Sequence, residues 1–277
     1  MLKRILFFAY GSISYLIFLG TFLYAVGFIG NFGVPRTLDG PATEPLGRAL
    51  AINAGLLALF AVQHSVMARK WFKELRTRIV PPPIERSTYV LFSSLALILL
   101  FWQWRPLGGE VWSVEGTAGR LVLRGLFAFG WGLVLVSTFL IDHFDLFGLR
   151  QVWLHLMGRP YAPNRFRTPG PYRLVRHPLY VGWLFAFWMA PTMSLSHLLF
   201  AVATTGYILI AIRFEERDLV RDHGSAYEEY RRSVPMLMPF ARRRAELVKR
   251  LGVAGAVFFM VKGLFWLALP AVVYLGR

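Results

Sequence analysis

The chain has 277 residues, of which 56% are hydrophobic and 16% aromatic, and its 31 Lys and Arg against 15 Asp and Glu give a formal net charge of +16. Charged residues make up only 17%, and the apolar residues fall into long runs, which excludes a single water-soluble globular core. The absence of cysteine excludes disulfides, zinc–thiolate centres and a cysteine nucleophile.

A membrane-spanning helix needs about 20 apolar residues. Ile5–Ile29, Leu46–Met67, Ser87–Trp104 and Gly119–Ile141 meet or approach that length. The first follows Lys3 and Arg4, as a secretory leader would. It is too long for a leader's apolar core, however, and Gly27–Gly33 offers no small-x-small cleavage site, so it reads as a retained span. Leu179–Ile212 is broken at Pro191 and Ser194 and reads as a hairpin of two tightly paired helices. Leu251–Leu275 is a further candidate, with Lys262 mid-span and Pro270 near its end. The expected fold is an all-α, polytopic membrane bundle of about five to seven membrane helices. Residues 1–240 form one domain, and 241–277 add a basic segment and the last candidate helix. No fixed-period repeat or duplicated half is visible, which argues against a repeat-built transporter.

The charge is not spread evenly. Lys3 and Arg4, Arg69–Arg86, Arg150–Arg176 and Arg213–Arg250 hold clusters of basic residues, whereas Gly30–Gly47, Arg105–Ala118 and the turn near Pro191 carry few. Threaded through the spans above, every rich segment falls on one side. The positive-inside rule makes that side cytoplasmic, including the N-terminus. A basic excess that would suggest nucleic acid in a soluble protein is here a topology signal, with attraction for anionic lipid heads as a second effect. An integral protein of the bacterial inner membrane is the expectation. Nothing in the sequence fixes an oligomeric state.

Two water-edge pieces stand out. In RHPLYVGW, Arg176–Trp183, Pro178 opens an apolar helix whose first N–H groups face the basic side. With Arg176, His177 and Tyr180 nearby, that end suits a carboxylate or phosphate, or is simply an interfacial anchor. In RFEERDLVRDHGSAYEEYRRSVP, Arg213–Pro235, Glu215 and Glu216 point about 100° apart on a helix, so at most one faces a given pocket. One suits an ammonium or sulfonium, and the other a pairing with Arg217 or Arg213. Glu215–Arg232 has helical spacing interrupted at Gly224, with Leu219, Tyr227 and Tyr230 as face residues. Between spans four and five, Asp142–Arg176 is long for a loop, and its aromatics favour an ordered, membrane-hugging structure. His143, between Asp142 and Asp145, and His64, in VQHSVMAR, lie at the same side of the membrane. Either suits a base, a metal ligand or an interfacial hydrogen bond. The six histidines form no HxxxH or HxxHH cluster, so a metal is not expected. No strand–GxGxxG–helix unit is present, which excludes a Rossmann nucleotide site.

Taken together, RHPLYVG, a short hairpin, EERDLV and HGSAYEEYRRSVP resemble the C-terminal half of the integral-membrane methyltransferases related to isoprenylcysteine carboxyl methyltransferase and the phospholipid methyltransferases. Upstream, AVQHSVMAR, ERSTYVLFSSLALILLFWQWRP and HFDLFGLRQVWLHLMGRPY resemble the bacterial methanethiol S-methyltransferases, so the likeness runs to about Pro239. The resemblance implies S-adenosylmethionine as methyl donor. It places His177, Pro178, Leu179 and Tyr180 in the cofactor segment, Tyr172 five residues before its histidine, and Glu215 as the cofactor-binding glutamate. Asn164, Arg165, Phe166 and Arg167 occupy the upstream cofactor stretch, and Gln151 aligns with a cofactor-contacting glutamine. The carboxyl methyltransferases carry a substrate arginine four residues before that glutamate. Ala211 stands there in this chain, which counts against a carboxylate acceptor. The expected reaction is methyl transfer to methanethiol, giving dimethyl sulfide. Rival expectations are a lipid amine or prenylcysteine carboxylate acceptor, or a non-catalytic membrane accessory or transport protein. A free thiol ionises only near pKa ~8.5, so a base helps. His143, oriented by Asp142 or Asp145, is the first candidate and His64 the second.

Overall fold

A computed structural model describes residues 1–164 and 166–239. Arg165, the basic segment Arg242–Arg250 and the candidate span Leu251–Leu275 lie outside the described residues. The described chain holds five helices long and apolar enough to cross a membrane: α1 (Leu2–Gly30), α2 (Leu46–Met67), α4 (Pro82–Gln103), α5 (Thr117–Ile141) and α9 (Leu195–His223). Shorter elements sit between them: α3 (Lys70–Arg76), β1 (Glu110–Ser113), the one-turn α6 (His143–Leu146), α7 (Leu149–Leu156), a 3-10 turn at Gly170–Arg173, α8 (Pro178–Trp188), β2 (Thr192–Ser194) and α10 (Ser225–Ser233). The all-α membrane architecture expected from the hydropathy pattern is what the chain adopts, apart from one small strand pair.

Local chemistry sets the boundaries. α1 ends at Asn31, whose left-handed backbone (φ 58°) returns its N–H to the Gly27 carbonyl, a conformation that asparagine tolerates. α4 starts on Pro82 and α8 on Pro178, each at a position where no intrahelical donor is lost. Gly224 (φ 56°, ψ −131°) separates α9 from α10 in a region closed to side chains. It is the interruption expected there. The long Asp142–Arg176 segment is ordered through α6, α7 and the 3-10 turn.

Exposed Leu16, Leu23, Val62, Trp102, Leu121, Val122, Val202 and Ile210 form a lipid-facing girdle. Inside it, Phe28, Phe101, Trp104, Trp131, Phe187 and Phe200 make an aromatic core. α8 differs from the expected hairpin partner. It runs only ~16 Å and packs chiefly on α5 rather than α9. Gly130 and Gly182 allow that approach: a Cβ on Gly130 would lie 2.7 Å from the Gly182 carbonyl oxygen and from the Ala186 nitrogen. Where α8 stops, β2 pairs antiparallel with β1, in the register Glu110↔Ser194, Trp112↔Met193 and Ser113↔Thr192. Val114 N–H also donates to the Pro191 carbonyl, and Leu195 N–H to that of Gly109. Non-helical backbone at membrane depth needs such partners.

At the basic end, ion pairs tie α3 and the end of α2 to α9. Arg69 meets Asp218 at 3.0 Å, and Lys70 meets Asp222. Beneath them the Arg76 and Glu85 side chains form a buried pair.

Candidate active site

The start of α8, the last turns of α9, α10 and the chain after it converge at the basic end. Arg176 joins them. Its Nε donates to Glu216 Oε1 at 2.7 Å, its Nη1 donates to the carbonyls of Arg231 and Val234, and its backbone N–H donates to Pro235. His177 repeats the pattern. Its N–H donates to the Met236 carbonyl and its Nε2 to Glu216 Oε1 at 3.1 Å. Glu216 therefore pairs with Arg176 and His177 across the fold, and not with Arg213 or Arg217 beside it in sequence. Glu216 and the carbonyls thus engage Arg176 through Nε, Nη1 and its N–H, and His177 through Nε2 and its N–H. Among the described residues, backbone N–H groups in the first turn of α8, which has no side-chain cap, are unspent donors at this end.

Glu215 is the opposite case. Its side chain is 45% exposed, against 12% for Glu216. Its Oε2 is nevertheless sealed from solvent and has no hydrogen-bond partner among the described residues, and His177 Nδ1 stands 3.8 Å from it. The negative charge of this carboxylate acts on the hydroxyls of Tyr180 and Tyr172. Burial, with the negative charge of Glu215 second, pushes the Tyr172 hydroxyl well above its usual pKa. Tyr227 is buried, its hydroxyl unpartnered among the described residues, and burial followed by Glu216 raises its pKa as well. Tyr230 donates to the Tyr172 carbonyl at 2.6 Å. Phe166 closes the group with ring centroids 5.7 Å from Tyr227 and 5.5 Å from Tyr230. One carboxylate with a spare oxygen, free helix N–H groups and an aromatic wall thus meet in one place.

Tyr172, His177, Pro178, Tyr180, Glu215 and Phe166 come together here, with Leu179 in the first turn of α8. Gln151, Asn164 and Arg167 bond residues at the end of α5 and in α6. Gln151 donates to the carbonyl and carboxylate of Asp145 and lines a cavity of about 340 Å³ with Lys73, Arg86 and Tyr161. Asn164 donates to the Asp142 carboxylate and Arg167 to the Ile141 carbonyl. Tyr227 and Tyr230 belong to the site although the sequence assigned them only to a helix face. Their i, i+3 spacing in AYEEY was the available signal.

The chain was compared with known proteins. Methanethiol S-methyltransferase of Crocosphaera subtropica is 57% identical over 244 residues, covering 88% of this chain and 96% of that protein. The protein of that name in Mycobacterium tuberculosis is 54% identical over 242 residues, 87% of this chain and 99% of that protein. The chain belongs to the methanethiol S-methyltransferase family. Nurim of Sus scrofa is a more distant relative, 33% identical over 179 residues, or 61% of this chain and 68% of that protein. No family model and no solved structure matches the chain.

Membership in the methanethiol S-methyltransferase family makes this chain a membrane methyltransferase, and the two histidines can be set beside that chemistry. His143 is buried. Its Nε2 meets the Tyr15 hydroxyl at 2.9 Å, its Nδ1 meets Thr138 Oγ1 at 2.8 Å, and its ring stacks on Phe139. Neither Asp142 nor Asp145 hydrogen-bonds the imidazole, so the expected orienting pair is not formed. Asp142 caps α6, and Asp145 takes Arg150 at 2.9 Å. Burial lowers the His143 pKa, with Asp142 opposing. His64 faces Ser93 at 3.2 Å and Tyr89 at 3.0 Å, between α2 and α4.

Proposed function

We propose that this chain transfers the methyl group of S-adenosylmethionine to methanethiol, releasing dimethyl sulfide, from a site on the cytoplasmic side of a bacterial inner membrane. The single observation that carries the donor assignment is the sealed, unpartnered Oε2 of Glu215. A buried carboxylate oxygen with no partner is costly, and an ammonium in this place satisfies it. The residues present fit the donor's other groups too. The first-turn N–H groups of α8 suit its carboxylate, and Phe166, Tyr172, Tyr227 and Tyr230 give its adenine and sulfonium aromatic faces. When bound, the donor supplies an electrophilic methyl on a positively charged sulfur. What the chain supplies is alignment and exclusion of water.

Two observations favour the small thiol over larger acceptors. The first is family membership, since the closely similar relatives carry the name methanethiol S-methyltransferase. The second is Ala211, which offers no charge to an acceptor carboxylate. A volatile, apolar thiol and product both partition into lipid, which gives membrane residence a reason. The cytoplasmic placement rests on the basic end of the bundle.

The test is a purified full-length protein supplied with methanethiol and methyl-labelled donor, with labelled dimethyl sulfide measured by headspace chromatography. Labelled product is expected. Absence of product while S-adenosylhomocysteine still binds removes the acceptor assignment, and absence of that binding removes the donor.

A further inference from the structure

Two short helices at the basic end are built alike. In α3, Lys73 and the terminal Thr77 line a cavity of about 340 Å³, while Trp71, Leu75 and, just past the helix, Ile79 are exposed. In α7, Gln151 and His155, followed by Arg159, line the same cavity, while Trp153 and the terminal Met157 are exposed. Residues two apart on a helix point about 200° apart, so each helix turns a polar face to the cavity and an apolar face outward. A tryptophan among apolar residues on one face, with basic residues on the other, is the pattern of a helix lying in the membrane interface. α4 closes the cavity with Pro82, Pro83, Glu85 and Arg86. Its first two residues are prolines and offer no N–H, so side chains set the chemistry inside and the helix end does not.

Cations dominate that chemistry. Lys73, Arg86 and Arg159 line the cavity against one carboxylate, Glu85. Glu85 is already paired with the buried Arg76, and Lys73 reaches it only at 3.7 Å. Among the described residues Arg86 and Arg159 have no carboxylate partner, and the Arg86 guanidinium lies 5.8 Å over the Tyr89 ring. Burial, and after it the charges of Arg86 and Arg76, hold the Lys73 ammonium below its usual pKa, with Asp145 opposing. An anion seated among these cations offsets their mutual repulsion. A second polar feature belongs to the cavity wall. Gln151 is only 8% exposed, and its Nε2 donates to the Asp145 carbonyl and carboxylate. Its Oε1 is buried and has no partner among the described residues, and a buried oxygen without a donor is costly. The cavity therefore suits two groups at once, a negative charge and a hydroxyl.

We infer that the cavity between α3, α4 and α7 binds the headgroup of an anionic phospholipid from the leaflet at the basic end, with Lys73, Arg86 and Arg159 on the phosphate and Gln151 accepting a hydroxyl of a phosphoglycerol head. The volume is at the small end of ligand sites (~300–1,000 Å³), which fits a headgroup whose acyl chains stay in the bilayer. A soluble phosphate ester carries the same polar groups. The exposed Trp71, Leu75 and Trp153 set the cavity at the lipid surface, however, where acyl chains add to the affinity. The donor groups stand on α8, α9 and α10, so the lipid site holds whether or not the chain transfers a methyl group. The two regions are nonetheless tied. Arg69 and Lys70, at the start of α3, pair with Asp218 and Asp222 of α9, the helix that carries Glu215. A bound headgroup steadies α3 and, through these pairs, the end of α9.

The test uses the purified full chain in detergent, with lipid binding read by native mass spectrometry and stability by thermal melting. Phosphatidylglycerol is expected to bind about tenfold more tightly than phosphatidylethanolamine with the same acyl chains, and to raise the melting temperature. Lys73→Gln combined with Arg159→Gln should weaken phosphatidylglycerol binding at least ~tenfold and leave the affinity for S-adenosylhomocysteine within about twofold of wild type. Arg173→Gln combined with Arg213→Gln removes the same charge from exposed positions outside the cavity and should change lipid binding less than about twofold. Phosphatidylmethanol has the same charge but no headgroup hydroxyl. Wild type should bind it about fivefold more weakly than phosphatidylglycerol, and Gln151→Met should erase that preference. Equal losses in the two double variants reduce the site to general charge attraction and overturn it, as does a wild type indifferent to headgroup charge. Glycerol 3-phosphate that binds as tightly as the lipid and displaces it overturns the lipid source. A loss of S-adenosylhomocysteine affinity as deep as the lipid loss makes the cavity part of the donor site and overturns its separate role. A phosphatidylglycerol preference that survives Gln151→Met overturns the hydroxyl contact.

Discussion

His177 and Glu216 stand 39 positions apart in the chain, yet the imidazole Nε2 donates to the carboxylate across 3.1 Å, alongside the Arg176 guanidinium at 2.7 Å. Adjacent glutamates thereby acquire different tasks. Glu216 locks α8 to α9, and its engagement of both cations leaves Glu215 free to meet a ligand. The two should separate cleanly on substitution. Glu216→Gln is expected to lower stability by about 3 kcal/mol, because it leaves a buried guanidinium short of its partner, and a thermal melt in detergent reads this directly. Glu215→Gln should leave the melt near wild type and weaken S-adenosylhomocysteine binding tenfold or more by calorimetry, roughly the loss of one charge-assisted hydrogen bond.

The Tyr227 hydroxyl is buried and has no partner among the described residues. Removing such a group relieves an unsatisfied donor, so Tyr227→Phe should melt at or slightly above the wild-type temperature. If that hydroxyl faces the donor, the same variant binds S-adenosylhomocysteine about fivefold more weakly. A melt that falls by several degrees would show the hydroxyl already satisfied.

His143 gives a dependence on pH. Burial holds its folded pKa below the usual 6.5 of a histidine, so in mild acid the unfolded chain binds a proton that the folded chain resists. Its contribution to stability is complete above pH 6.5 and declines as pH falls from there through the folded value. Melting curves between pH 7.5 and 5 should drop on the acid side, and His143→Gln should flatten that drop. An unchanged slope in the variant would assign the acid sensitivity to another group.

The contact between α5 and α8 offers a steric test. A Cβ on Gly130 would meet backbone atoms at 2.7 Å, whereas one on Gly125, in the same helix, meets nothing within 4 Å. Gly130→Ala should cost yield and lower the melting temperature, while Gly125→Ala should be neutral or mildly stabilising. Equal behaviour of the two variants would argue against the close approach.

The long helices were legible because a run of about 20 apolar residues has few other uses, and Leu46–Met67 has the same limits in sequence and structure. The candidate site was half legible. Glu215, His177 and Tyr180 sit in recognisable strings, but Glu216 found its partner 40 positions upstream, and no local pattern encodes that. The short α8 is a similar case. Pro191 marks an interruption, but Ser113 and Thr192 meet from 79 positions apart, and β pairing depends on its partner more than on its own residues. Asp142, His143 and Asp145 show the opposite risk. Neighbours in sequence suggested a hydrogen-bonded group, and the helix turn sent the carboxylates to other partners.

α8 has a mechanical consequence for the enzyme in its bilayer. The long helices can tilt to suit lipids of different thickness, but α8 cannot, because it is too short to reach across and is strapped at its far end to β1. The height of Pro178 above that strap is therefore fixed. Thicker or thinner lipids would move the candidate site against the water boundary and leave its internal distances alone, so acyl-chain length should act on turnover without acting on which thiol is accepted.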